Sequence, residues 1–140
     1  KDKNINNQNF ELMAKYSEPL KIIQKSMFKV VNEQKGTAFK SRSDSFQFSG
    51  KTGTSQVKRI TEQDRELDLD LEEIEYKNRD HALFIAYAPY DKPRYSISVL
   101  VEHGGSGSKA AAPLAKKLIK KIIDRHELRE KIRKDTKNIA

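Results

Sequence analysis

Two apolar stretches, HALFIAYAPY (81–90) and RYSISVLVEHG (94–104), constrain this chain more than any other feature. They are separated only by Asp91-Lys92-Pro93, a link of hairpin length with turn chemistry, so the pair reads as two antiparallel strands. A two-stranded ribbon is marginal in water and needs a third strand and a covering layer. The rest of the sequence has to provide both.

The cover comes from two helical patterns. In SEPLKIIQKSMFKVVNEQKG (17–36), Leu20, Ile23, Met27, Val30 and Val31 form one apolar stripe. Ser17 is placed to cap that helix, Pro19 lies in its first turn, and Gly36 follows as a stop. In GGSGSKAAAPLAKKLIKKIIDRHELREKIRK (104–134), Ser106 is placed to cap a second helix. Ala111, Leu114, Ala115, Leu118, Ile119, Ile122 and Ile123 are expected to be its buried stripe, and Lys116, Lys117, Lys120 and Lys121 its wet face. GKTGTSQVKRI (50–60) supplies a third strand with an imperfect alternation, after a serine-rich connection that holds Phe46 and Phe48. Residues 61–80 are a charged excursion, expected to pack through Leu67, Leu69, Leu71 and Ile74 and to form a short helix near Glu72–Asn78.

The expected fold class is therefore α+β: an antiparallel sheet of about three strands, packed by an N-terminal-side helix and a long C-terminal helix. Residues 1–16 read as an irregular lead-in, 17–125 as the folded portion, and 126–140 as a basic, fraying tail. Such a core is thin and is expected to lean on further chain. The opening residue is Lys1 rather than methionine, as in a piece cut from a longer protein.

Charge and composition exclude more than they assign. Twenty-eight Lys and Arg against 20 Asp and Glu give a net charge of +8, with the excess near the C-terminus. A nucleic-acid-binding module is one reading of that balance, but the basic helix lacks interleaved aromatics and no motif of that class occurs, so a solvated lysine face is the plainer one. With no cysteine there is no disulfide framework or thiolate metal site. His81, His103 and His126 lack ligand spacing, and DLDLEEIE lacks the glycine of a calcium loop. No apolar run approaches the ~20 residues of a membrane-spanning helix.

The chemistry-bearing stretch is SGKTGTS (49–55). A phosphate loop would need a glycine at position 45, where Ser45 stands, and a helix after Thr54, where the sequence reads as strand. The other reading is the K-T-G element of serine acyltransferases that react with penicillins. As a strand beside a cleft, the segment puts a cation and hydroxyl donors where a carboxylate could be held, and Gly53 admits a close ligand. Alternate amides, those of Thr52 and Thr54, point to one side of a strand.

The order GTA (36–38), GKTGTSQV, DHALFIAYAP, YSISVLVEHG and GSKAAAPLAKKLI resembles the C-terminal part of the transpeptidase domain of class B penicillin-binding proteins. MFKVVNEQKGTA is similar to the family's helix and loop before the K-T-G strand, and the likeness covers residues 17–123. Within the family it is most like the elongation-type branch, penicillin-binding protein 2. The resemblance implies a partial penicillin-binding-protein or serine β-lactamase-like fold and a peptidoglycan D,D-transpeptidase acting in cell-wall synthesis and cell shape. In it, Lys51, Thr52, Gly53 and Thr54 would bind the substrate, with the Thr54 amide as an oxyanion donor. The implied ligands are D-Ala-D-Ala stem peptides and β-lactams, without a cofactor. The implied partner is the glycan polymerase of the elongation machinery, on the periplasmic side of a bacterial inner membrane. A penicillin-binding sensor without turnover is the alternative within the fold.

The same resemblance asks for a nucleophile in S-x-x-K and for an S-x-N motif. The literal S-x-x-K matches, at Ser26, Ser55 and Ser106, are about what composition yields by chance, and no S-x-N occurs. The nucleophile is expected outside residues 1–140, and the chain alone is expected to be inactive.

Overall fold

The computed structural model of the chain describes residues 16–58 and 69–139. The first helix, α1, spans Ser17–Asn32. Tyr16 occupies its N-cap position and offers no side-chain cap, so Ser17 is the first helical residue rather than the expected cap. Glu18 compensates in the first turn, where a carboxylate complements the helix dipole, and it pairs with Lys21 at 2.7 Å.

The helix stops at Asn32, ahead of Gly36. Glu33 is extended, and its N–H still bonds to the Lys29 carbonyl at 3.1 Å. Asn32 explains the stop in part. Its Nδ2 donates to the Phe28 carbonyl within the helix and to the Phe48 carbonyl across to the next segment, both at 2.9 Å. Gly36 then folds back on the helix end so closely that a Cβ there would collide with the Lys29 and Val30 carbonyls.

Only the C-terminal half of the expected stripe is covered. Val31 is buried and Val30 packs against the core, whereas Ile23 is about half exposed and its neighbour Ile22 is 67% exposed.

Strand β1 is Ser49–Ser55, β2 is His81–Ala88 and β3 is Tyr95–Val101, forming one antiparallel sheet in the order β1-β2-β3. β1 pairs with β2 through Gly50↔Ala86, Thr52↔Phe84 and Thr54↔Ala82, and β2 pairs with β3 through Ala82↔Val101 and Ala88↔Tyr95. The hairpin expected from the sequence forms. The third strand ends at Ser55, five residues short of the expectation. Beyond it the Val57 N–H is taken by the Asp80 carboxylate at 3.1 Å, and positions 59 and 60 lie outside the described residues.

The charged excursion is described only from residue 69. Leu67 therefore falls outside it. Leu69 and Leu71 are exposed and only Ile74 is half-buried. The helix expected near Glu72–Asn78 shrinks to a single 3-10 turn, Tyr76–Asn78.

The second helix, α2, is Ala112–Ile139 and is preceded by one π turn, Gly107–Ala111. The Ser106 hydroxyl lies 2.9 Å from that of Ser108, and no side chain caps the turn. The basic residues expected to fray are helical as far as Ile139.

The core is built on small residues. Ala82, Phe84, Ala86 and Ala88 of β2 are buried, as are Ala111, Ala112, Ala115 and Ile119 of the turn and helix. Alanine facing alanine lets helix and sheet approach closely around Phe84 and Phe48, the two largest fully buried side chains. Leu114, Leu118 and Ile122, expected to be buried, are exposed instead, because α2 turns the flank of its alanines, Ile119 and Ile123 to the core. The opposite sheet face is largely open: Ile85 is 50% exposed and Leu100 56%.

Candidate functional site

The seven residues SGKTGTS form β1 itself, an edge strand paired on one side only. They do not curl ahead of a helix, which removes the phosphate-loop reading. Two glycines make this strand possible. A Cβ on Gly50 would strike the Phe84 ring, so glycine here lets the core aromatic lie directly beneath the strand. Gly53 has Leu83 on the facing strand and Gly107 of the π turn packed against its backbone.

Lys51 Nζ donates to the Thr52 carbonyl at 2.7 Å. On an antiparallel strand the N–H and C=O of one residue point to the same side. A Thr52 carbonyl open to a side chain therefore faces away from β2, and with it face the amides of Thr52 and Thr54. The edge thus offers a row of backbone donors beside a lysine cation and two threonine hydroxyls. Such an arrangement can hold an extended peptide by strand addition and its terminal carboxylate by charge-assisted hydrogen bonds.

One residue was not singled out as a site residue from the sequence. Thr37, in the loop after α1, places its Oγ1 3.0 Å from Thr52 Oγ1. Its only sequence signal was its place in the GTA triplet.

Two of the S-x-x-K serines are bonded away from β1 and the third lies on that strand. Ser26 donates to the Ile22 carbonyl one turn back in α1 at 2.8 Å, Ser55 ends β1, and Ser106 sits beside Ser108. Two of the three histidines, distant in sequence, come together. The His103 N–H donates to His81 Nδ1 at 2.9 Å, with the ring centroids 4.8 Å apart, while His103 Nδ1 lies 3.0 Å from the Arg79 carbonyl. His103 has φ of 54°, so it makes the left-handed turn that leads from β3 to Gly104. His126 stands apart, 2.7 Å from an Arg94 guanidinium nitrogen. Among the described residues no cluster of histidine and carboxylate side chains could hold a metal ion.

A three-stranded antiparallel sheet packed by two helices, with Lys-Thr-Gly-Thr on its glycine-bearing edge strand and Thr37 beside Thr52, is a partial penicillin-binding-protein transpeptidase fold. Residues 4–120 match the family model described as the penicillin binding protein transpeptidase domain, and the chain belongs to that family. It is 39% identical over 97 residues to the peptidoglycan D,D-transpeptidase MrdA of Haemophilus influenzae, a match covering 69% of this chain and 14% of the relative. Against the MrdA protein of Acinetobacter baumannii it is 42% identical over 84 residues, covering 58% of this chain and 12% of the relative.

Among solved structures it resembles the complex between penicillin-binding protein PBP2 and MreC from Helicobacter pylori. That match has a TM-score of 0.63 and 35% identity, and covers 76% of this chain and 17% of that one. It also resembles Pseudomonas aeruginosa PBP2 in complex with WCK 5153, with a TM-score of 0.51 and 33% identity over 69% of this chain and 17% of that one. The likeness is thus to the PBP2 type of transpeptidase domain. The chain spans about one seventh of the length of the first of these curated relatives.

Proposed function

We propose that this chain forms one wall of the active site of a peptidoglycan D,D-transpeptidase of the PBP2 type and works as part of a longer polypeptide. The observation that carries the proposal is the edge strand Ser49–Ser55 with its Lys51, Thr52 and Thr54 donors turned away from β2. A D-Ala-D-Ala stem peptide would lie along β1, its terminal carboxylate held by Lys51 and the Thr52 hydroxyl. Gly53 leaves room for the backbone. The Thr54 amide is one of two donors to the oxyanion that develops when a serine attacks the peptide carbonyl. The β-lactam carboxylate would take the same place.

The serine and its lysine partner would come from outside residues 1–140: Ser26 is bonded within α1, Ser106 lies beside Ser108, and Ser55 is on the K-T-G strand itself, which would hold the ligand rather than attack it. The intermediate is a serine ester, so the reaction as proposed draws on no metal or organic cofactor. The longer protein would sit at the bacterial inner membrane facing the periplasm, with the glycan polymerase of the elongation machinery and a MreC-type protein as partners. The sequence-blind binding of nucleic acid that a +8 charge allows is not favoured: Lys117, Lys120 and Lys121 are a solvated face of α2, and no nucleic-acid-binding motif accompanies them.

The proposal makes a two-part test. Incubated with a labelled penicillin, residues 1–140 alone should show no mass gain. A stoichiometric adduct that vanishes on Ser26→Ala would refute it. In the complete transpeptidase, Lys51→Ala should slow acylation by the same reagent at least ~10²-fold, the scale of losing a charged active-site donor. Unchanged acylation would remove β1 from the site.

A further inference from the structure

Thr37 is not part of the K-T-G strand, yet it is fixed beside it. The Gly36 N–H bonds to the Glu33 carbonyl at 2.8 Å and the Ala38 N–H to the Val30 carbonyl at 2.9 Å. Those two bonds anchor the backbone on either side of Thr37 to the end of α1, and Gly36 allows the close return. The outcome is the 3.0 Å contact between Thr37 Oγ1 and Thr52 Oγ1, in which either oxygen can be the donor.

An incoming anion decides which. A hydroxyl has one hydrogen and two lone pairs, whereas a carboxylate only accepts. If Thr52 gives its single hydrogen to a carboxylate, it has none left for Thr37. The contact then survives only with Thr37 donating and Thr52 accepting. From this geometry we infer that Thr37 is a positioning residue. It donates to Thr52, holds that hydroxyl's hydrogen toward the carboxylate of a D-alanyl terminus or β-lactam, and polarises it for the stronger bond. The inference rests on the proposed role of β1 as the carboxylate-holding strand. Thr37 touches no reacting atom in it.

The test is a double-mutant cycle in the complete transpeptidase, with a labelled penicillin as probe and the concentration dependence of acylation resolved into half-saturation and limiting rate. Thr37→Val should raise the half-saturating concentration about three- to ten-fold, the scale of one net hydrogen bond, and leave the limiting rate within about two-fold. Thr37→Ala should reproduce the loss, and Thr37→Ser, which keeps the hydroxyl, should restore it. In a Thr52→Val background, Thr37→Val should add almost nothing. If Thr52→Val weakens binding while Thr37→Val does not, the relay is overturned and the strand's role stands. If Thr52→Val itself binds as well as the unmodified protein, the carboxylate reading falls and the relay with it. A Thr37→Val loss that persists in the Thr52→Val background, or that serine fails to restore, places its effect elsewhere and overturns the inference.

Discussion

Gly107 rests on the backbone of Gly53. A Cβ added at residue 107 would stand 2.5 Å from the Gly53 carbonyl oxygen and 3.0 Å from its amide nitrogen, and would also strike the Leu83 carbonyl. The π turn that precedes α2 therefore buttresses the strand that carries the K-T-G residues. All of the obstructing atoms are backbone, which cannot rotate away.

Gly107→Ala is accordingly expected to do more than a surface substitution. Either the turn lifts or β1 bows outward, at a cost of about 1–3 kcal/mol. In residues 1–140 the thermal midpoint should fall by several degrees. In the complete transpeptidase, acylation should slow even where the fold survives. Circular dichroism melting and penicillin acylation measure the two effects, and a variant that matches the parent in both would mean that the contact is not tight.

Asn32 ties α1 to the segment that enters β1. Its amide donates to Phe28 and Phe48 carbonyls from a part-buried position, so truncation leaves acceptors without that donor. Asn32→Ala should destabilise the chain by about 1–2 kcal/mol. Asn32→Asp should cost more, since a carboxylate facing two carbonyls cannot donate to either. Denaturant midpoints at constant slope give the comparison, and equal midpoints for the two variants would contradict this account.

Local pattern revealed elements, and missed what one element does to another. The hairpin of β2 and β3 and both helices were legible because their apolar periods are strong over short windows, whereas the edge strand, which holds no large apolar side chain, was legible from its motif. So was the ordered motif series that gives the family. The apolar flank of α2 was legible as a stripe, but periodicity marks which residues are apolar and not which are covered. Ala111, Ala115 and Ile119 went inside, while Leu114 and Leu118 stayed out because the small residues permit the closer approach to β2. The stop of α1 at Asn32 rests on a bond to Phe48, sixteen residues on. The pairing of Thr37 with Thr52 needs a helix end and a strand brought together, and no spacing rule announces that. The residues proposed to hold the carboxylate could be named from K-T-G, whereas their neighbours Thr37 and Gly107 could not.

The open sheet face separates core from surface in a testable way. Phe84 belongs to the same buried cluster as Ala111 and Ala115 and is fully buried; Ile85, next to it in β2, points to the other side and is half exposed. Phe84→Ala should cost about 3–5 kcal/mol and leave little folded population in so small a domain. Replacing both Ile85 and Leu100 by threonine places β-branched side chains at both strand positions and should move the thermal midpoint only slightly. It should also reduce binding of an apolar dye, because a continuous exposed patch is removed. Unfolding of the Ile85/Leu100 variant would show that this face is covered within residues 1–140.

The direction of the β1 amides can be read by proline. At Thr54, an N–H that points away from β2 is not part of the ladder, and an edge strand admits proline on that side. At Ser55 the alternation turns the N–H toward β2, so proline there removes a ladder bond at the His81 pairing. Thr54→Pro should leave residues 1–140 folded with a modest loss of stability, and Ser55→Pro should fray the end of the sheet. Hydrogen exchange at His81 and Leu83, the register partners of Ser55 and Gly53, measures the difference. In the complete transpeptidase, Thr54→Pro should slow penicillin acylation by ~10²–10³, the loss expected for one oxyanion donor, with half-saturation little changed. If Thr54→Pro unfolds the sheet while Ser55→Pro does not, the two sets of amides are reversed, and the donors along the open edge belong to Lys51, Gly53 and Ser55 instead.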